Sequence, residues 1–329
     1  MNLTAVSDGT SATTPLAIVA DPADYQRHFT HGPDRMWPET NCYFDLWIET
    51  LHCLGMDPVP SFACLLSADH DGMAWTFVKQ PPEDLRRLYG LEVAEASLWL
   101  SVLETIESGV ARSVLHTVEV DSWWLPDTSG TAYRTEHVKT TIVPTRVDRA
   151  GRTMNYLHNA GLFELSGDDF DGVFGLTEQS AVVLPPYIEQ VRHHPDQVEQ
   201  DAVANLVREH LRRRPHGNPA ARLVEGVERA MDWLPTRGME QFHLWAFATL
   251  RQCGATAELL SDLAEQLDDV FAGAGGAAVH FREVAANAKS VQFKMARAAR
   301  GRTVDVGDAL ATIAASWQSG MDVVAAAVG

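Results

Sequence analysis

Cysteine and basic residues are scarce in this chain, and long apolar runs are absent. The four cysteines, at positions 42, 53, 64 and 253, form no C-x-x-C pair, which argues against a zinc ribbon, a thioredoxin motif or a disulfide framework. Lys and Arg number 26 against 44 Asp and Glu, giving a net charge of -18, and such a surface repels phosphate backbones and anionic membranes. No stretch reaches the roughly 18 apolar residues of a membrane span, and no basic segment precedes an apolar run at the N-terminus. We expect a cytoplasmic protein with reduced thiols and with no nucleic-acid or membrane partner.

The remaining composition is that of an ordinary globular protein, with 46% hydrophobic and 21% charged residues. The length of 329 residues suits about two domains of roughly 100–200 residues each. Residues 1–20 are rich in Ser, Thr and Ala, and we expect a flexible N-terminus there. Residues 21–186 mix helical and strand patterns, whereas residues 187–329 are helical in pattern. The sequence therefore predicts an α+β domain followed by an all-α domain.

Hydrophobic periodicity and turn residues place the individual elements. Strands are predicted over residues 61–67, 73–78, 113–120, 139–147, 153–157 and 181–184. Helices are predicted over residues 42–54, 82–89, 94–108, 198–213, 219–233, 239–272 with a break near Gly254, 278–300 and 307–328.

Cys42 begins the most informative segment of the chain. Thr40 or Asn41 is suited to cap a helix, and apolar residues then recur at helical spacing as far as Gly55. In the first turn of that helix, the helix dipole and the free backbone N–H groups lower the pKa of a thiol and favour the thiolate. Cys42 is therefore a candidate nucleophile, and a buried structural cysteine is the alternative.

A thiol nucleophile needs a base within hydrogen-bond reach and a third group that orients the base. His137 lies directly before the predicted strand 139–147, where a central strand would hold its imidazole rigidly. Asn159 ends the returning strand, and its side-chain carbonyl can accept a hydrogen bond from that imidazole. His158 is the rival base. Because adjacent residues of a strand point to opposite faces of the sheet, only one of His158 and Asn159 can share a face with His137. A surface histidine and a turn asparagine are the ordinary alternatives for His137 and Asn159.

Further polar residues are candidates for the oxyanion site or the substrate pocket. The candidates are Asn41, Thr40, Asp121, Trp123, Trp124, His158, His243 and Arg251. The backbone N–H of Cys42 is one natural oxyanion donor, and Asn41 or Thr40 would supply the second. Asp121 beside two indoles is suited to line a substrate pocket or to bind an ammonium group. The alternative is a pair of core tryptophans with an aspartate that caps a turn. His243 and Arg251 share one helical face, where a plain helix–helix contact is the alternative. No H-x-H or H-E-x-x-H pattern supports a metal site.

Several blocks of the sequence resemble a known bacterial family, the domain-of-unknown-function 1839 family. The blocks are HGPDR at 31–35, WPETNC at 37–42, VDSWWLPD at 120–127, HNAG at 158–161, and FH through LRQ at 242–252. The resemblance covers about residues 25 to 270. Genes of this family often lie beside those of amino acid:carrier-protein ligases and small carrier proteins, which implies thioester chemistry.

A weaker similarity links the chain to acyltransferases of the butirosin biosynthesis protein H type, which are papain-like with a helical C-terminal domain. Their pattern is matched here by Cys42, the segment 120–126, His137 and Asn159. Where Asn159 stands, related sites often carry Asp. The resemblance implies a papain-like catalytic domain, a helix packed on an antiparallel sheet, and transfer of an aminoacyl group from a carrier protein to an amine.

We therefore predict a papain-like domain over residues 21–186 and a helical domain over residues 187–329. In the predicted reaction, of specialised metabolism, Cys42 takes an acyl or aminoacyl group from the phosphopantetheine thioester of an acyl or peptidyl carrier protein. His137 serves as base and Asn159 as its orienter, and a small amine or hydroxyl compound is the acceptor. No cofactor is expected on the chain itself. A thiol hydrolase or amidase with the same triad, and a non-catalytic carrier-protein partner, remain the alternatives.

Overall fold

The computed structural model describes residues 14–180 and 185–329. The strands are β1 (Leu91–Glu95), β2 (Leu115–Asp121), β3 (Lys139–Asp148), β4 (Thr153–His158), β5 (Gly161–Ser166) and β6 (Ile188–His193). The helices are α1 (Cys42–Cys53), α2 (Pro82–Tyr89), α3 (Val102–Ala111), α4 (Asp168–Val173), α5 (Ala202–Arg213), α6 (Pro219–Ala246), α7 (Gln252–Leu267), α8 (Ala278–Ala298) and α9 (Gly307–Val328). Within these ranges, no helix is both long and apolar enough to cross a membrane.

The six strands form one antiparallel sheet in the order β1-β6-β2-β3-β4-β5. Side chains alternate between its two faces, as the pleat requires. Val143 and Leu157 join the apolar cluster that contains residues of α1. Their neighbours Ile142 and Tyr156 join the cluster beneath α3 and α4. The fold is therefore α+β, with helices on both faces of the sheet.

Helix α1 lies between the sheet and the helical region. Leu46, Trp47 and Leu51 pack toward the sheet, whereas Phe44 and Ile48 belong to the core of the helical region. All five side chains are fully or almost fully buried. A helix that is apolar on opposite faces must be covered on both, and the two halves of the chain cover this one. The position of Cys42 at its start is therefore fixed by both halves.

The helical region is built from α5 to α9 and carries one irregular segment. Gly238 inside α6 has φ 74° and ψ -167°, and a π-helical turn over Phe247–Arg251 joins α6 to α7. The predicted break near Gly254 therefore lies earlier in the chain. Trp317 of α9 packs edge-on against Trp75, with ring centroids 5.0 Å apart, and ties the last helix to the N-terminal half.

Three strand predictions differ from the structure. Residues 61–67 lie in a 3-10 helix, Val59–Ser67, because Pro60 cannot donate to a strand ladder and the apolar side chains are buried without alternation. Residues 73–78 form a single bridge, between His70 and Trp75, instead of a strand. The predicted strand 181–184 lies outside the described residues.

The helix expected over residues 94–108 begins later, because β1 runs to Glu95 and Ser101 caps α3 with a capping box. The sheet also continues beyond the expected boundary at residue 186, since β6 pairs with β1 and β2. Glu189 hides the strand pattern of β6 because this charged residue is buried, where it accepts hydrogen bonds from Thr117 and Tyr43. At the other end, Leu16 and Ile18 are buried in the sheet cluster, although they fall in the expected flexible segment.

Candidate active site

Cys42 is the first residue of α1, as the capping residues predicted. The side chain of Asn41 accepts hydrogen bonds from the backbone N–H groups of Tyr43 and Phe44, at 3.2 and 3.0 Å. Its amide group donates to the carbonyl of Val78 at 3.0 Å, so both polar atoms of Asn41 are used in fixing the helix start. The backbone N–H of Cys42 is left as a free donor of the first turn, and the thiol is partly exposed.

The segment that leads into α1 is held by residues of the helical region more than 200 positions away. Arg35 forms an ion pair with Asp262 at 2.7 Å, and the N–H of Trp37 donates to Glu258 at 2.7 Å. Closer to the thiol, Gln252 donates to the carbonyl of Thr40 at 3.0 Å. The helical region therefore sets where the candidate nucleophile lies.

A chain of hydrogen bonds lies in the sheet and runs from Thr140 to Asp127. The hydroxyl of Thr140, at the start of β3, lowers the pKa of the Cys42 thiol, and it lies 2.7 Å from Nε2 of His158. On the other side of the ring, Nδ1 of His158 lies 2.6 Å from Oδ2 of Asp127. Tyr156 donates to the second oxygen of Asp127 at 2.5 Å. These residues connect a hydroxyl, an imidazole and a carboxylate in one line.

His158 is nearly inaccessible, at 1% exposure, and its partners Thr140 and Asp127 are also buried. A buried imidazole held at both nitrogens has a fixed orientation and a fixed tautomer. The carboxylate at Nδ1 stabilises an imidazolium that forms when Nε2 takes a proton. This arrangement can act as a base, provided that the proton comes through Thr140.

His137, the expected base, has different neighbours. Its Nδ1 lies 2.6 Å from Oδ2 of Asp121, and its ring stacks on Trp123 at 4.5 Å between centroids. The side chain is 69% exposed. Asn159, the expected orienter, has φ 44° in the turn between β4 and β5. The structure thus brings His137 to Asp121 and Trp123, and it brings His158 to Thr140 and Asp127.

The pKa of Cys42 is shifted upward, whereas the helix dipole led us to expect a downward shift. Burial raises the pKa of this thiol above its ordinary value, and the charge of Asp45 raises it further. The nearby Thr140 hydroxyl and the charges of Lys139 and Lys79 oppose the increase. The resting thiol is therefore neutral near pH 7, and it needs a base before it can attack.

A buried ionic cluster supports the first turns of α1. His31 lies 3.5 Å from Asp45 and makes a short hydrogen bond to Glu49, which also accepts from Tyr25. Burial alone would lower the pKa of His31, but the hydrogen bonds and charges of Asp45 and Glu49 raise it to about 9. Asp45 in turn accepts from the backbone N–H of Thr40 at 2.8 Å. The cluster fixes the chain two residues before the thiol.

The other predicted site residues divide between a cavity and the helical surface. A cavity of about 490 Å³ has apolar walls that include Trp124 and rim residues that include Asp121, His137 and Lys139. His243 is exposed on α6, next to Phe242. Arg251 pairs with Glu39, three residues before Cys42, at 3.3 Å. Among the residues that the structure describes, no group of three or more His, Cys, Asp or Glu side chains is placed to hold a metal ion.

Sequence reasoning missed Thr140, Asp127 and Tyr156 as site residues. Asp127 ends the segment Leu125-Pro126-Asp127, in which Pro126 starts a 3-10 turn and turns the carboxylate toward β4. The alternation of β4 places Tyr156 and His158 on one face, which is the available signal. Nothing in the sequence marks the hydroxyl of Thr140, because a threonine at a strand start is ordinary.

Comparison with known families accounts for nearly all of the described chain. Residues 26–193 match the model of the DUF1839 N-terminal domain, and residues 196–326 match that of the DUF1839 C-terminal domain. The two matches meet just after β6, where the sheet ends. No curated protein matches the chain.

Proposed function

Because the chain belongs to the DUF1839 family, whose name specifies no reaction, we propose its function from the geometry of the site: Cys42 is the nucleophile of an acyltransferase. The donor is the thioester of an acyl or peptidyl carrier protein, and the acceptor is a small amine or hydroxyl compound. The observation that carries the proposal is the position of Cys42 at the start of α1, where the Thr140 hydroxyl acts on its thiol and begins the hydrogen-bonded line through His158 to Asp127.

The first half of the reaction uses that line to move one proton. The thiol proton of Cys42 passes to the hydroxyl oxygen of Thr140, whose own proton passes to Nε2 of His158. The thiolate then attacks the thioester carbonyl, and the backbone N–H of Cys42 donates to the developing oxyanion. The carbon–sulfur bond of the donor breaks, and its thiolate recovers the proton from His158 through the hydroxyl of Thr140. An acyl group on Cys42 and a free carrier thiol remain.

The second half repeats these steps with the acceptor. The amine or hydroxyl attacks the acyl–Cys42 carbonyl and gives its proton through Thr140 to His158, and Cys42 leaves and is protonated again. With water as the acceptor, the same residues would catalyse hydrolysis.

We also propose that the N-terminal half of the chain is related to the papain-like enzymes. A helix with a cysteine at its start, packed on an antiparallel sheet that supplies the imidazole, is the arrangement of papain-like enzymes. The support is the packing of α1 on β3 and β4. His158 ends β4 on the same face as Tyr156, so the proposed path from the thiol to this imidazole passes the end of the sheet at Thr140. In this proposal the histidine lies one strand later than the sequence pattern suggested.

The test is covalent capture of the acyl group. The protein is incubated with an acyl-loaded carrier protein, and intact-protein mass spectrometry should show one added acyl group that is absent in Cys42→Ala. Cys53→Ala is the matched control, since Cys53 ends the same helix and should leave the adduct unchanged. An adduct that persists in Cys42→Ala contradicts the proposal. Product analysis with and without a candidate amine then separates transfer from hydrolysis.

A further inference from the structure

The cavity of about 490 Å³ lies where β2 ends and β3 begins, and the proposed reaction does not use it. Its volume falls within the range of about 300–1,000 Å³ that is usual for small-molecule sites. Its walls are apolar and are formed by Val102, Val118, Val120, Trp124, Val173 and Phe174. The apolar body of a small molecule is therefore favoured over water in this space.

Trp124 is a fixed part of these walls. A Cβ at Gly172 of α4 would lie 2.0 Å from the indole, so the ring packs directly on the backbone of that helix. The guanidinium group of Arg134 lies 4.3 Å from the centroid of the ring, and Arg134 also pairs with Asp169. The wall is thus in place before a ligand arrives, which reduces the entropy cost of binding.

The rim of the cavity carries an imidazole in a fixed orientation. Nδ1 of His137 lies 2.6 Å from Oδ2 of Asp121, and the ring stacks on Trp123 with 8° between the two planes. The other oxygen of Asp121 accepts from the backbone N–H of Trp123 at 3.0 Å, which holds the carboxylate in place. A carboxylate at Nδ1 requires the N–H on that nitrogen, so Nε2 of the neutral ring is a hydrogen-bond acceptor. Among the residues that the structure describes, none bonds to this Nε2.

The charged groups of the rim favour a ligand of one sign. Among the described residues that line the cavity, the carboxylates are Glu119 and Asp121, and the ammonium group is that of Lys139. Lys139 pairs with Glu119 at 2.6 Å, so these two charges balance each other. The charge of Asp121 remains, and it lies behind an imidazole that accepts a hydrogen bond. A ligand that donates a hydrogen bond and carries a positive charge meets both conditions, whereas a carboxylate meets neither.

From this arrangement, we infer that the cavity is a binding site for a primary amine with an apolar body. The ammonium group donates a hydrogen bond to Nε2 of His137, and the charge of Asp121 lies on the other side of that ring. The apolar body lies against Trp124 and the valine side chains of the walls. Binding of this amine does not depend on a reaction at Cys42.

The cavity also borders the hydrogen-bonded line in the sheet. Val120, which belongs to the wall, pairs with Thr140 across β2 and β3. Directly opposite residues of two paired strands have their side chains on the same face, so the wall adjoins the hydroxyl that contacts His158. One consequence rests on the proposed function: the acceptor is the amine in this cavity, and a hydroxyl compound is not.

The first experiment measures binding to the native protein and needs no acyl transfer. Phenylpropylamine, phenylpropanol and phenylpropanoate share one apolar body and differ in the head group. By isothermal titration calorimetry at neutral pH and low salt, we expect the amine to bind about tenfold or more tightly than the alcohol, because its hydrogen bond is charge-assisted. The carboxylate should bind most weakly. An amine that does not bind, or that binds no more tightly than the alcohol or the carboxylate, overturns the inference.

Two variants locate the bound amine. Asp121→Asn keeps an oxygen for the N–H of Trp123 and removes the charge, so the affinity for phenylpropylamine should fall about tenfold. Glu92→Gln is the matched control and should leave that affinity unchanged, since Glu92 pairs with His194 at 3.1 Å and does not line the cavity. Equal affinity for the amine in Asp121→Asn and in the native protein overturns the inference.

The acceptor role is measured on the protein that carries an acyl group on Cys42. Phenylpropylamine should take the acyl group as an amide and restore the free thiol, and Asp121→Asn should raise the half-saturating amine concentration about tenfold. An amine that binds but forms no amide shows that the cavity is not the acceptor site. The proposed function fails separately, because no donor then gives an acyl adduct, and calorimetry still decides whether the cavity binds the amine.

Discussion

The hydroxyl oxygen of Thr140 lies 2.7 Å from Nε2 of His158, and the same hydroxyl lowers the pKa of the Cys42 thiol. In the proposed reaction, this side chain joins the thiol on α1 to the imidazole on β4. A hydroxyl can accept from one neighbour while it donates to the other, and it can reverse both bonds. In one arrangement of the proposed reaction, the Cys42 thiol and the His158 imidazole are both neutral. In the other, Cys42 is a thiolate and His158 is an imidazolium.

This relationship predicts opposite results for two substitutions of Thr140. Thr140→Val keeps the shape and removes the hydroxyl, so acylation of Cys42 should slow by about 10²- to 10⁴-fold, the usual contribution of a general base. Thr140→Ser keeps the hydroxyl and should stay within about tenfold of the native rate. Single-turnover mass spectrometry of the acyl adduct measures both rates. Equal rates in the two variants would show that the hydroxyl does not carry the proton.

The identity of the base is tested by a second pair of variants. His158→Gln removes the imidazole that Thr140 contacts, and acylation should fall by about 10²-fold or more. His137→Gln changes an exposed side chain that pairs with Asp121, and acylation should change by less than about threefold, as expected of a group outside the proton path.

Asp127→Asn belongs to the same test, because it keeps the size of the side chain and removes the charge beside His158. We expect an intermediate loss, since the amide cannot stabilise an imidazolium. Circular dichroism of each variant separates loss of the base from loss of the fold. A large loss in His137→Gln with a native rate in His158→Gln would instead assign the base to His137.

Much of the sheet and the start of α1 could be predicted from the sequence, because local signals determine them. Asn41 caps the helix, and the alternating residues of β3 and β4 give their strands. Residues 61–67 were predicted as a strand because an apolar run fits either a strand or a helix when it is buried on all sides. The strand β6 was missed because the buried carboxylate of Glu189 interrupts its apolar pattern.

The candidate site was predicted less well, because its geometry depends on contacts between distant segments. The sequence placed Cys42 at a helix start, which the local capping pattern determines. It did not show that Asp127, 31 positions before His158, turns back to bond that ring. It also suggested a lowered pKa for Cys42 from the helix dipole, whereas burial between the two halves of the chain raises it. Burial is a tertiary property and leaves no local pattern.

The cluster around His31 predicts a pH dependence of stability. The pKa of His31 is about 9 in the folded protein and 6.5 as the ordinary value. The folded state therefore holds the proton more tightly, and this stabilisation is complete below about pH 6.5 and lost as the pH rises through about 9. Urea unfolding should give a free energy of unfolding that falls across this range.

His31→Gln should remove that pH dependence and should destabilise the protein by about 3–5 kcal/mol at pH 6.5, because Asp45 and Glu49 stay buried without their cation. His243→Gln is the control, since His243 is an exposed histidine on α6, outside this cluster. An unchanged slope in His31→Gln would assign the pH dependence to other groups.

A substitution of Gly254 tests whether the helical region sets the position of Cys42. A Cβ at this position in α7 would lie 2.4 Å from the indole of Trp37, which is anchored by its N–H to the carbonyl of Ala285 at 3.0 Å. Gly254→Ala gains about 1 kcal/mol in helix propensity, but overpacking against a held ring costs about 1–3 kcal/mol. We expect a net loss of stability in urea unfolding, and slower alkylation or acylation of Cys42 because Trp37 leads into α1.

Gly276→Ala is the control, since its Cβ would meet its nearest neighbour at 3.6 Å, an ordinary contact. A Gly254→Ala protein with native stability and a native rate at Cys42 would show that the helical region does not set the position of the thiol.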